Sequence, residues 1–206
     1  MGKLVNLYID IDNVILNTAE TFIEYYTKKN NIDKNFYNLK DWNFRSIDRN
    51  IDKQEFLQYI ETNDFFEKVK INEDFLRFYI KNADKYYWIF NTTGTLTNIR
   101  LKREYILRSL PILKNVKFIG VYDFMKKSDI DMTDGIQIDD EYKNLNTNAK
   151  YKILLKNLIE TDYNQLLDIR EDVYIANSFD EVIKCVECLS KEIEDDINER
   201  RFQDEY

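Results

Sequence analysis

The sequence contains no histidine, and this absence removes whole classes of chemistry. Without imidazole, the chain cannot form a Ser-His-Asp triad, use histidine as a general base or bind a metal through a ring nitrogen. Any catalysis must therefore use carboxylates, hydroxyls, amines or thiols.

Thiols are also scarce, because the chain has only two cysteines, Cys185 and Cys188. Their spacing occurs in redox motifs and in half of a zinc site. No second cysteine pair and no histidine exists to complete a zinc site. Apolar residues recur around both cysteines at helical spacing, so we expect the thiols to lie buried or half-buried on a helix.

Long hydrophobic runs and excess basic charge are absent as well. No apolar run approaches the roughly 20 residues that cross a bilayer, and the N-terminal segment becomes acidic too early for a secretory signal. We therefore expect a cytoplasmic protein without a membrane partner. The 30 basic and 38 acidic residues give a net charge of −8, which disfavours an extended nucleic-acid surface. A small molecule is the expected partner, and a homodimer stays open.

The 206 residues are enough for one domain with a modest insertion, and strand and helix patterns alternate along most of them. We predict strands at 4–10, 86–90, 117–121, 135–138 and 173–176, and helices at 14–29, 72–83, 96–110 and after Ser178. This alternation predicts an α/β fold: a Rossmann-like, mainly parallel sheet of about five strands with helices on both faces.

Residues 31–70 interrupt the alternation. They are rich in asparagine, aspartate and aromatic residues, and only 52–62 have the pattern of a short helix. We predict a small cap with its own core, inserted into a main domain formed by 1–30 and 71–206. Trp42 and Phe44 in this cap have two interpretations, as buried aromatic residues of the cap or as a platform on which a base stacks.

Polar residues follow four of the predicted strands. They are Asp10 and Asp12, then Thr92 and Thr93, then Lys127 with Lys126 as the alternative, and finally Asp139 and Asp140. Since parallel strands end at the same edge of a sheet, we expect these side chains to converge. Four clustered carboxylates repel each other unless a cation neutralises them, and oxygen ligands favour Mg²⁺. The threonine turn before a helix suits a phosphate.

These motifs resemble those of the haloacid dehalogenase-like (HAD) phosphohydrolases. LYIDIDNVI is similar to the first motif of that superfamily, YWIFNTT to the second, the lysine to the third and GIQIDD to the fourth, in order over residues 4–145. Within the superfamily, the sequence is most similar to the 5'(3')-deoxyribonucleotidases. That likeness rests on IDIDNVI, DWNF, IDDEYKNL and VYIANSFDEVI.

The resemblance implies a Mg²⁺-dependent phosphomonoesterase that forms an aspartyl-phosphate, with (deoxy)nucleoside monophosphates as the expected substrates. Asp10 would be the nucleophile and Asp12 the general acid and base. The alternatives are a HAD-like phosphatase of another small phosphorylated metabolite or of a nucleic-acid end, and a non-catalytic metal-binding relative.

The resemblance also implies a role for each remaining site residue. Thr92, with Thr93 as the alternative, and Lys127 would bind phosphoryl oxygens. Trp42 and Phe44 would contact the substrate if they form the stacking platform. The metal site would comprise Asp10, Asp12 through its carbonyl, Asp139 and Asp140, with Asp140 orienting water or Lys127.

Overall fold

The computed structural model describes residues 4–32, 44, 47–156 and 170–204, with the backbone alone from 197 onward. Trp42 lies outside these residues, so its role stays a prediction. None of the described helices is long and apolar enough to cross a membrane.

Six parallel strands form one sheet in the described part of the chain. They are β1 (Val5–Asp10), β2 (Tyr86–Thr93), β3 (Val116–Val121), β4 (Gly135–Asp139), β5 (Tyr151–Leu155) and β6 (Val173–Ala176). Their order is β3-β2-β1-β4-β5-β6. The predicted α/β fold with a parallel sheet is therefore confirmed, with six strands rather than about five.

The strand order places β1 at the centre of the sheet. The chain first builds outward from β1 to β2 and β3, and then returns to add β4, β5 and β6 on the other side. The order thus reverses between β1 and β4, which pair directly. Ligands of open parallel sheets bind outside the carboxyl ends of the strands at such a reversal.

Within the described ranges, six α-helices connect or flank the strands. They are α1 (Thr18–Asn30), α2 (Lys53–Tyr59), α3 (Asn63–Lys68), α4 (Glu73–Asn82), α5 (Leu96–Ser109) and α6 (Phe179–Asp204). α1 begins four residues later than predicted, because Asn13 has a φ of 57° and the chain turns there before the helix starts. β5 and α3 were not predicted, since both are short and their periodicity is weak without their neighbours.

Polar side chains mark where several helices begin. Asp52, Thr62, Asn72 and Thr95 each accept a hydrogen bond from a backbone N–H of the first turn. Two side chains share the capping of α6. Ser178 Oγ accepts from Glu181 N at 3.3 Å, whereas the Glu181 carboxylate accepts from Asn177 N at 2.7 Å.

A continuous apolar cluster covers one face of the sheet. Alternate residues of the central strands, such as Leu7, Ile9 and Trp88, pack there with residues of α4, α5 and α6. The aromatic residues of 44–70 belong to the same cluster. The described part of the insertion therefore does not form the separate core expected from the sequence.

Of the two interpretations of Phe44, the structure supports the buried aromatic residue and not the stacking platform for a base. Its side chain is fully buried, and its ring centroid lies 4.6 Å from that of Phe22 and 4.9 Å from that of Phe56. A ring enclosed in this way has no face to offer a ligand. The apolar area of a large aromatic side chain is the physical reason for its burial.

The two thiols differ in exposure. Cys185 is half-buried against the apolar cluster, as expected, but Cys188 is exposed. The buried stripe of α6 runs through Val182, Val186 and Leu189, and Cys188 lies just outside it.

The burial of Phe44 predicts a loss of stability on truncation. Phe44→Ala should lower the free energy of unfolding by about 3–5 kcal/mol, because it removes a fully packed ring and leaves a cavity. Urea unfolding measures this change. The matched control is Phe124→Ala, since Phe124 is 92% exposed, and it should change the free energy by less than about 0.5 kcal/mol. Equal losses in the two variants would contradict the assignment of Phe44 to the core.

Candidate active site

The carboxyl edge of the sheet, where the parallel strands end, brings most of the expected site residues together. Asp10 is the last residue of β1 and pairs in register with Asn91 of β2. Asp139 is the last residue of β4, the other neighbour of β1. Asp10 and Asp139 are both buried. Their position follows from strand geometry alone, because each closes a buried apolar run.

A buried lysine joins these two aspartates. Lys127 Nζ donates to Asp10 Oδ1 at 2.5 Å and to Asp139 Oδ2 at 2.6 Å. Burial by itself would lower the pKa of Lys127, but the attraction of the two carboxylates outweighs it and raises that pKa. Lys126 is exposed, and its backbone N–H bonds to Asp129. The geometry therefore favours Lys127 over Lys126.

Three carboxylates lie close enough to share one cation. Oxygen atoms of Asp10, Asp139 and Asp140 are all within 4.8 Å of one another. Burial raises the pKa of Asp10 to about 7, and the nearby Asp139 and Asp12 add to the increase although Lys127 opposes it. Burial, with the charges of Asp10 and Asp139, also raises the pKa of Asp140 well above its ordinary value. Lys127 alone does not neutralise the three carboxylates when all of them are ionised.

The donor set fits Mg²⁺. The available ligand atoms are carboxylate oxygens, which hard divalent cations prefer, and their uncompensated charge is the feature that a cation would relieve. Neighbouring groups hold two of the carboxylates in place. Asp139 Oδ1 accepts from Glu141 N and Asn144 Nδ2, both at 3.0 Å, and Asp140 Oδ2 accepts from Asn13 Nδ2 at 3.0 Å. Lys127 contacts Asp10 and Asp139, and the expected role of Asp140 in orienting water or Lys127 stays a prediction.

A second set of charged residues is centred on Asp12. Asp12 Oδ1 accepts from Thr18 Oγ1 at 2.7 Å, and its Oδ2 accepts from Lys102 Nζ. Lys102 Nζ also donates to Thr92 Oγ1 at 3.0 Å. Thr92 is buried at the end of β2, whereas Thr93 is exposed. The two threonines that the sequence left as alternatives therefore have different surroundings.

Lys102 was not predicted as a site residue. It lies in the middle of α5, where a basic sequence predicts a solvated face. A weak signal was present, since Asn98, Lys102 and Ile106 are spaced four apart and form one buried stripe of the helix. A lysine on the buried stripe of a helix needs a negatively charged partner nearby.

The turn between β2 and α5 is tightly packed. A Cβ atom at Gly94 would lie 2.8 Å from Asn98 Oδ1, which explains why glycine occupies this position. Asn91, next to Asp10 in register, is fully buried, and neither of its amide atoms has a hydrogen-bond partner among the described residues. Such a group is costly unless a water molecule or a ligand satisfies it.

Comparison with known proteins identifies the fold. No protein-family model and no curated protein matches the chain. A haloacid dehalogenase-like hydrolase from Streptococcus pneumoniae matches with a TM-score of 0.55 and 13% identity over 88% of this chain and 97% of its own. The chain has the fold of the HAD-like hydrolases.

Two further structures support the same conclusion. A haloacid dehalogenase-like hydrolase from Xanthomonas campestris has a TM-score of 0.52 and 11% identity over 93% of this chain and 99% of its own. The HAD-hydrolase YfnB from Bacillus subtilis, solved with bound magnesium, has a TM-score of 0.55 and 10% identity over 89% and 99%. At such low identity the likeness concerns the HAD-like fold alone.

The raised pKa values of the carboxylates predict how Mg²⁺ stabilises the protein. Between about pH 4 and pH 7 the metal-free folded state holds a proton on Asp10 that the unfolded chain releases, so the free energy of unfolding falls as pH rises through this window. Mg²⁺ binds the ionised carboxylates, so it should stabilise the folded protein most above this pH window. Saturating Mg²⁺ should raise the melting temperature by about 5 °C or more at pH 8 and by much less at pH 5.

Thermal melts with and without Mg²⁺ at both pH values measure this difference. Asp140→Asn removes one ligand and should lose most of the Mg²⁺-dependent shift. An equal shift at both pH values, or an undiminished shift in the variant, would argue against a metal site at these carboxylates.

Proposed function

We propose that this protein is a Mg²⁺-dependent phosphomonoesterase that works through an aspartyl-phosphate on Asp10. The observation that carries the proposal is the position of Asp10. Its carboxylate lies at the end of the central strand, is held by the buried Lys127, and shares a cation-sized cluster with Asp139 and Asp140. The HAD-like fold supports a hydrolase.

The proposed first step uses two aspartates. A carboxylate oxygen of Asp10 attacks phosphorus, and the bond between phosphorus and the ester oxygen breaks. The carboxyl group of Asp12 gives its proton to the departing oxygen. In the second step Asp12 accepts a proton from a water molecule that attacks phosphorus. The bond between phosphorus and the Asp10 carboxylate oxygen breaks, which releases inorganic phosphate and restores Asp10.

The remaining residues bind the phosphoryl group. Lys127 supplies positive charge next to Asp10, and Thr92 supplies a hydroxyl at the end of the neighbouring strand. Thr93 is the second candidate hydroxyl. A Mg²⁺ ion held by Asp10, Asp139, Asp140 and the Asp12 carbonyl would offset the charge of the phosphoryl oxygens as the ester bond breaks.

We propose (deoxy)nucleoside monophosphates as the substrate class and the cytoplasm as the location. The support is the likeness of the sequence motifs to deoxyribonucleotidases, together with the net charge of −8, which disfavours long polyanions. The insertion at 31–70 is proposed as the cap that contacts the leaving group. Phe44 no longer supports base recognition, so within the cap this proposal rests on Trp42.

A phosphate-release screen tests the activity. Purified protein is incubated with a panel of nucleoside monophosphates, sugar phosphates and p-nitrophenyl phosphate, with Mg²⁺ or with EDTA. We expect release with Mg²⁺, none with EDTA and recovery on adding Mg²⁺. Zn²⁺ should serve poorly, because the site offers neither histidine nor cysteine.

Asp10→Asn should abolish turnover while the protein stays folded, because an amide is a poor nucleophile. The control Asp172→Asn changes an aspartate that pairs with Lys152 away from the site and should keep the wild-type rate. Comparable turnover in Asp10→Asn would remove Asp10 from the mechanism.

The role of Asp12 predicts a dependence on the leaving group. Asp12→Asn should slow hydrolysis of alkyl phosphates by at least ~100-fold, because an alkoxide needs a proton to depart. The loss for p-nitrophenyl phosphate should be much smaller, since this leaving group departs as an anion. Steady-state kinetics on both esters measure the two losses, and equal losses would show that Asp12 has only a structural role.

A further inference from the structure

Lys102 is a buried charged residue at the site that the mechanism above does not use. Its side chain is 1% exposed, and lysine is almost never fully buried without a partner. Its ammonium group contacts Asp12 Oδ2 and Thr92 Oγ1, residues that lie 90 and 10 positions away in the sequence. The lysine therefore ties α5 to the segment after β1 and to the end of β2.

The contacts of Lys102 restrict how Asp12 can orient. One carboxylate oxygen of Asp12 accepts from Thr18 and the other accepts from Lys102. With both oxygens bound from different directions, rotation of the carboxylate about its own axis would break at least one of these bonds. Each oxygen keeps a further lone pair that can carry or accept a proton.

The same ammonium group also determines whether the Thr92 hydroxyl acts as a donor or as an acceptor. Lysine has three donors and no acceptor, so Thr92 Oγ1 must accept the bond from Lys102. The hydroxyl proton of Thr92 is then left to donate elsewhere. A phosphoryl oxygen next to Asp10 is an acceptor of the right kind.

We propose that Lys102 is a positioning residue for phosphoryl transfer. It holds Asp12 in the orientation that delivers a proton to the leaving oxygen, and it directs the hydroxyl of Thr92 toward the phosphoryl group. Lys102 does not itself exchange a proton or form a bond to the substrate. This inference rests on the proposed phosphomonoesterase activity and adds to it a residue from α5.

The test compares two esters in the Lys102→Met variant. We expect kcat for an alkyl phosphate to fall by about 100-fold and kcat for p-nitrophenyl phosphate by less than about 5-fold, because only the alkyl ester depends on a well-oriented acid. KM should rise for both esters, since both need Thr92 to bind the phosphoryl group. A general loss of structure would instead reduce both kcat values alike.

Lys152→Met is the matched control. Lys152 is also buried and also pairs with one aspartate, Asp172 at 2.6 Å, but it lies near the beginning of β5, away from the carboxyl edge. Removing it deletes a buried lysine without touching the site, so the ratio of the two kcat values should stay as in the wild type. Melting temperatures of both variants show whether each one folds.

A more conservative variant keeps the inference open to refutation if Lys102→Met folds poorly, and a double variant tests whether Lys102 acts through Asp12. Lys102→Gln retains an N–H donor, and its ratio of alkyl to aryl kcat should lie between those of the wild type and Lys102→Met. In an Asp12→Asn background, adding Lys102→Met should change this ratio no further, because the proton donor is already absent.

The outcomes separate this inference from the proposed function. If the wild-type protein hydrolyses neither ester with Mg²⁺, the proposed function fails and the role of Lys102 fails with it. If the wild type is active but Lys102→Met loses both kcat values equally, or no more than Lys152→Met, the phosphatase proposal stands and the positioning role is overturned.

Discussion

The other residues of the site are arranged around a concentration of negative charge at the carboxyl edge of the sheet. Four aspartates lie there, and oxygen atoms of three of them are within 4.8 Å of one another, close enough to share one cation. Like charges at such distances would drive the site apart or force protonation. Two buried lysines reduce the repulsion, Lys127 on one side of Asp10 and Lys102 at Asp12. When all four carboxylates are ionised, this pairing leaves two negative charges, which match the charge of a divalent cation.

The packing of the apolar cluster holds these charged residues in place at the edge of the sheet. β1 carries Leu7 and Ile9 toward the helices and ends at Asp10, so the strand that anchors the core also delivers the candidate nucleophile. Hydrophobic packing positions the strand without involving the carboxylate. The described residues of the insertion join the same cluster, and this continuity ties the region around Phe44 to the core.

Much of the fold could be predicted because its signals are local. Apolar runs predicted β2 and β4, although β2 extends three residues beyond its predicted end. Helical spacing predicted α4 and α5 within one or two residues. β5 was not predicted, because its five residues are identified as a strand by pairing with β4 and β6 rather than by their own pattern. The exposure of Cys188 depended likewise on where the buried stripe of α6 meets the sheet.

The sequence by itself determined the fold class and the residues that end the central strands, since an apolar run that stops at an aspartate places that aspartate at the edge of a parallel sheet. The motif resemblance favoured Lys127, but only the tertiary structure showed which carboxylates it contacts and that Lys102 reaches Asp12. Lys127 and Asp10 are 117 positions apart, and Lys102 and Asp12 are 90 apart. No local pattern encodes such a contact, because it depends on the order in which the strands assemble. The burial of Phe44 has the same origin, since its neighbours Phe22 and Phe56 come from separate helices.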